Sequence, residues 1–290
     1  MKYKYLIILA ITLVAVTGCF KKDSLENVTI YTTSYPIEYI TGMLYGDNGE
    51  IYSIYPNDVN IKNYNLTDKQ LTDYSKGRIF IYNGLSNEKD YAITMLNKNK
   101  GLLIIDAAMS MEYTNDEEEI WLDPSNFLMM AQNVKEGFKE YITNTYLKRE
   151  IDDNYEKLKI AVSEIDAELN LIVENSPDKN VVVMDDLLLF LQKYGLNVLS
   201  LEENEEFATT EAKRIDDIEK LMSSGKIKYL FIKNNDELNE TAKRLVTTYN
   251  ITTISFKTGS NLSENERDEK VDFIKIMNDN VESLKRELYQ

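Results

Sequence analysis

Residues 146–174 read YLKREIDDNYEKLKIAVSEIDAELNLIVE, and within them Ile151, Tyr155, Leu158, Val162, Ile165, Leu169 and Ile172 recur at steps of 4, 3, 4, 3, 4 and 3. That spacing draws one apolar stripe along a helix of about seven turns and roughly 35 Å, with the charges elsewhere. A coiled-coil seam has the same period. Because strand-and-helix alternation flanks the stretch on both sides, the stripe predicts a connector packed along two lobes of one molecule.

On the N-terminal side, Val28–Thr33, Glu50–Tyr55, Arg78–Tyr82 and Leu102–Asp106 are β-branched or buried-strand runs. Helical segments alternate with them: one from Pro36, then Thr67–Tyr74 and Asn87–Leu96, and a longer one from Asp123-Pro124-Ser125 to Tyr141. Beyond Pro177 the alternation resumes. Strands are expected at Asn180–Met184, Asn197–Leu201, Ile227–Ile232 and Ile251–Phe256, and helices at Asp185–Tyr194, Thr210–Ser223, Glu237–Tyr249 and Glu264–Leu288. Such alternation implies βαβ units and parallel sheets covered on both faces. The expected fold class is α/β, two lobes with mainly parallel sheets joined by one long backbone helix. The lobes are expected at 28–143 and 177–290, with the connector at 144–176. No internal sequence repeat is visible, and a single rigid connector predicts limited rocking of the lobes. A cleft between lobes, beyond the carboxyl ends of the strands, is where a ligand belongs.

The first 19 residues predict export. Lys2 and Lys4 precede an apolar run from Leu6 to Val16, too short to span a hydrocarbon core of roughly 30 Å. Val16-Thr17-Gly18-Cys19 resembles the lipobox of bacterial lipoproteins, which implies a signal peptide at 1–18 and a lipid on Cys19, the chain's one cysteine. Residues 19–27 read as a polar tether. The protein is therefore expected outside the cytoplasm, lipid-anchored to the outer face of the cell membrane and held there by the lipid alone.

Acidic residues number 49 against 33 basic ones. Without Lys2 and Lys4 the balance is 31 to 49, a net charge of −18, which excludes nucleic acid and anionic lipid surfaces as partners. Histidine is absent, so neither a Ser-His-Asp nor a Cys-His constellation exists. No glycine-rich phosphate loop is present. An enzyme is the class least compatible with this sequence. Asp116–Glu119 (DEEE) reads as a solvated acidic run, and Asp185-Asp186 as acids favouring a helix N-terminus.

Five motifs, in order along the chain, resemble one family. Thr32-Thr33-Ser34-Tyr35-Pro36 is similar to its opening strand and turn, and Ile79-Phe80-Ile81-Tyr82-Asn83-Gly84-Leu85 to its "LFVYNGL" strand. Ile120-Trp121-Leu122-Asp123-Pro124 matches "VWLDP", Tyr194-Gly195-Leu196 matches "YGL", and the long helix lies where the family's backbone helix lies. The chain thus resembles the zinc- and manganese-binding lipoproteins that feed ABC importers, a group that includes surface adhesins. The resemblance implies an ABC permease as partner, a monomeric binding protein, and zinc or manganese held by histidines and carboxylates between the lobes.

At the positions matching the family's ligands, this sequence has Lys62, Glu119, Met184 and Lys257. Ammonium groups have no lone pair to offer a dication, and only Glu119 is a ligand for a hard or borderline metal. No bound cofactor is therefore expected, and the ancestral metal site is read as altered or lost. Two arrangements are open for these residues: Lys62 and Lys257, from opposite lobes, closing on Glu119 in the metal's place, or an open cleft in which all three are solvated and Met184 belongs to the packing. Two alternatives stay open: a surface interaction or adhesion lipoprotein keeping the scaffold without a ligand, and a binder of a small anion through Lys62 and Lys257.

Overall fold

The computed structural model describes residues 25–112, 119–202, 208–234 and 236–289. The expected signal peptide, Cys19, most of the expected tether and Asp116–Glu118 lie outside the described residues. Among the described residues no helix is long and apolar enough to cross a membrane.

Each lobe is built on a four-stranded sheet in which every pairing is parallel. The first holds β1 (Val28–Thr32), β2 (Gly49–Ser53), β3 (Ile79–Tyr82) and β4 (Leu103–Asp106) in the order β2-β1-β3-β4. The second holds β5 (Asn180–Val183), β6 (Asn197–Ser200), β7 (Tyr229–Lys233) and β8 (Thr252–Phe256) in the order β6-β5-β7-β8. The two orders are the same topology, a repeat of architecture that no sequence repeat announces. Every residue of β3 is buried, as a strand covered on both faces requires.

Helices α1 (Tyr35–Tyr45), α2 (Asp68–Tyr74), α3 (Glu88–Lys98) and α4 (Pro124–Tyr141) belong to the first lobe. Pro36 sits in the first turn of α1, where its missing N–H costs nothing. Thr67 and Gln70 form a capping box on α2, and the Asp123 side chain caps α4 by accepting from Ser125 N–H. The connector α5 runs Thr145–Asn175, 31 residues and so ~46 Å. Its buried face is the stripe read from sequence, extended by Leu147 and Val173. That stripe packs on α1 and α4 of the first lobe and on α9 (Phe273–Leu288) of the second. One continuous apolar core therefore runs from Ile30 and Ile81 through α5 to Val183 and Phe231.

The second lobe adds α6 (Ala208–Ser223), α7 (Glu240–Tyr249) and α8 (Glu264–Asp268) before α9. Two expectations are corrected here. The segment expected as a helix from Asp185 is a 3₁₀ helix over Asp186–Tyr194. Its fully buried Leu188 and Leu191 stand three apart, which lines one face at three residues per turn. The expected single helix Glu264–Leu288 is two helices, because Lys270 adopts a left-handed conformation (φ 53°) and Asp272 then caps α9 at Lys275 N–H.

Candidate functional site

After β2 the chain crosses the top of the first lobe from Ile54 to Leu66, held down by buried Ile54, Tyr55 and Leu66. Tyr55 donates a hydrogen bond (3.3 Å) to Glu88, a carboxyl that also accepts from Asn83 N–H at 2.9 Å. Burial pushes Glu88 up to about 7, only partly opposed by these hydrogen bonds. Asp58 takes a left-handed conformation, and Asn60 accepts from Lys62 N–H, so the crossing turns sharply and delivers Lys62 to the cleft.

Glu119 immediately precedes a 3₁₀ turn, Ile120–Leu122, whose three residues are all buried. Anchoring that turn in the core draws the Glu119 side chain inward, where it is 4 % exposed. Two ammonium groups meet its carboxylate: Lys62 Nζ lies 3.3 Å from Oε2, and Lys233 Nζ donates to Oε1. Lys62 and Glu119 come from the first lobe and Lys233 from the end of β7 in the second, so the triad spans the cleft.

Of the four positions singled out from sequence, the structure brings two together. Lys257 pairs instead with Glu266, at 2.9 Å across the same lobe. Burial alone would raise Glu266, but hydrogen bonds from Ser263 and Lys257 outweigh it and hold the carboxyl below its ordinary range. Met184, at the end of β5, packs half-buried against the second lobe's outer core of Val182, Leu201 and Leu230. Lys233 falls at none of the family's ligand positions; the one sequence signal for it is its place directly after the strand expected over Ile227–Ile232, where a cleft residue belongs.

Around the triad the lobes are seamed shut. Asn261 Nδ2 donates to Pro56 O (2.8 Å) and Val59 O (3.1 Å), and Asp58 N–H donates to Leu262 O at 3.1 Å. Trp121 Nε1 donates to Thr258 O at 2.9 Å, and Arg267 forms a two-pronged pair with Glu38 at 2.8 and 3.0 Å. Asn234 uses both ends of its amide on Thr258, tying the β7 and β8 loops together. Between the seam and these loops is a cavity of about 500 Å³ whose wall includes Lys62, Glu119, Lys233 and Lys257.

Chemically, this arrangement does not fit a divalent metal. The buried Glu119 carboxylate is already matched by two cations, and ammonium groups repel a dication. Among the described residues no group of three or more His, Cys, Asp or Glu side chains is placed to hold a metal.

Two lobes, each built on a parallel sheet, thus share one backbone helix and close over a polar cleft. Residues 30–287 match the family described as zinc-uptake complex component A, periplasmic, and the chain belongs to that family. It is 21% identical to the zinc-binding protein AdcA of Streptococcus pyogenes serotype M1 over 296 residues, covering 89% of this chain and 56% of that protein. The chain thus spans about half the length of the relatives it matches. Among solved structures it resembles the metal-dependent lipoprotein YcdH of Bacillus subtilis, with a TM-score of 0.74 at 18% identity, over 91% of this chain and all of that one. The Zn(II)-bound ZnuA-like domain of Streptococcus pneumoniae AdcA gives 0.73 at 17% identity, over 91% and 100%. At such identities these likenesses establish the fold.

Proposed function

We propose that this chain is a solute-binding lipoprotein of a metal-type ABC importer family in which the metal position is taken by the Lys62–Glu119–Lys233 triad. It is a binding protein and not an enzyme, as members of its family are. The observation that carries the reading is the Glu119 carboxylate, buried and engaged by an ammonium from each lobe. Positive charge at that point is what a bound dication supplies in a metal carrier, and here two lysines supply it from within the chain. Cys19 as the lipid attachment, an extracytoplasmic location on the outer face of the membrane, and an ABC permease as partner complete the proposal.

The test is metal content and metal-dependent melting of the chain from residue 20 onward, which keeps every described residue. Elemental mass spectrometry is expected to find substoichiometric zinc and manganese. Neither metal nor chelator is expected to move the melting point, because a ligand that binds only the native state would raise it. One equivalent of zinc accompanied by a clear rise in melting point would overturn the reading.

A further inference from the structure

The cavity beside the triad has a chemistry of its own, and its contents are open once the metal position is filled by lysines. Its volume, about 500 Å³, lies in the ~300–1,000 Å³ range of sites for small organic molecules. A bare ion, by contrast, is gripped by ligands at about 2 Å. The charges on its wall are mixed. Lys62, Lys233 and Lys257 contribute three ammonium groups, and Asp58, Glu119, Asp236 and Glu266 contribute four carboxylates.

A polyanion entering this space gains from the lysines but meets four carboxylates. A polycation gains from the carboxylates but meets three lysines. With a net wall charge of about −1, neither sign alone is favoured. A solute carrying one charge of each sign is favoured on both counts when its ends face opposite partners. The wall supplies such partners at separate points. Lys62 and Lys233 are taken up by Glu119, but Lys257, 52 % exposed in its side chain, spends one of its three N–H donors on Glu266, and Asp236 is also exposed on the neighbouring β7 loop. Neutral donors and acceptors complete the lining through Asn60, Asn261 and Ser260. No aromatic ring is present among the described residues of the wall, so a sugar or a nucleobase would find no stacking platform there.

We infer that this cavity takes a small, highly polar zwitterion, a free amino acid or a dipeptide, with its carboxylate toward Lys257 and its ammonium toward Asp236. The inference rests on the reading that the triad has replaced the metal. It names the class of solute for the same cleft.

The test is calorimetry and thermal melting of the same soluble chain with the twenty protein amino acids singly and with glycylglycine. Citrate and spermidine serve as single-sign controls and zinc chloride as the metal control. At least one zwitterion is expected to bind one-to-one and, at about a hundredfold excess over its Kd, to raise the melting point by roughly 5 °C. Citrate and spermidine are expected to leave it in place. Lys257→Met and Asp236→Asn, which leave Lys62, Glu119 and Lys233 untouched, are each expected to weaken the zwitterion at least tenfold. Failure of every zwitterion, or a larger shift with citrate or spermidine, overturns this inference. If zinc also fails, the triad reading stands without it. Stoichiometric zinc binding would instead overturn the triad reading, and this inference with it.

Discussion

Glu119 shows how one side chain sets the character of a site. A carboxylate 4 % exposed is costly unless its charge is matched, and most of the matching comes from Lys233, whose side chain is 17 % exposed. Lys62, at 39 %, is partly screened by water and contributes less. Lys233→Met is therefore expected to lower stability by about 3–5 kcal/mol, the usual cost of removing one partner from a buried pair. The double variant Glu119→Met/Lys233→Met should regain most of that loss in urea unfolding. A K233M protein as stable as the parent would mean that the carboxylate is solvated. Glu88 makes a pH prediction. Its ordinary value of 4.5 rises to about 7 in the fold, so between these values the folded chain binds more protons than the unfolded one. Glu88 therefore stabilises the fold below pH 4.5, and that contribution, up to about 3 kcal/mol, is lost as pH rises toward 7. Relative to the parent, Glu88→Gln should gain stability across this window, and parallel pH–stability curves for the two proteins would contradict the assignment.

Among the elements, α4 lies flat on the first sheet because Gly137 lets it. A Cβ at this position would stand 2.7 Å from Ile105 Cγ2 and 2.9 Å from Cγ1, both on β4. Gly137→Val is expected to cost about 1–3 kcal/mol by overpacking, although a glycine inside a helix is otherwise unfavourable. A melting point at or above the parent's would show that β4 can yield. The connector α5 behaves in the opposite way. Its stripe was legible because strict 4-3 spacing over seven positions has one meaning in a helix, and those seven residues are buried as read. The segment after β5 was harder, since Leu187-Leu188-Leu189-Phe190-Leu191 is apolar whether it turns at 3.6 or at three residues. Only the core beneath Leu188 and Leu191 selects the tighter turn.

At the scale of the whole molecule, the lobes share one core along α5, and polar bonds close the cleft above it. Phe127 of α4 stacks on Phe273 of α9 with ring centroids 4.9 Å apart, so apolar contact as well as hydrogen bonding joins the halves. Trp121, the one tryptophan, is buried at this seam and donates to Thr258 of the other lobe. Its emission is therefore a probe of lobe contact. Thermal unfolding followed by Trp121 fluorescence is expected to coincide with that followed by far-UV circular dichroism, as one cooperative unit requires. A fluorescence transition several degrees below the dichroism transition would show that the lobes part before they unfold.

The α/β class, the two lobes, the connector and the motifs that led to the family were all legible in the chain itself. Local patterning decides them: a period of 3.6 or 2, a proline at a helix start, a run of β-branched residues. The prominence of Lys62 and Glu119 was legible for a different reason, since they fall at the family's ligand positions. That Lys233 and not Lys257 meets Glu119 was decided by tertiary structure alone. Lys233 ends β7 opposite Phe256 of the parallel strand β8, and Lys257 directly follows that residue, so their places at the strand ends do not rank them. The ranking comes from what each meets in space: Glu266 on α8 reaches Lys257, and the buried turn at Ile120–Leu122 brings Glu119 to Lys233 from 114 residues away.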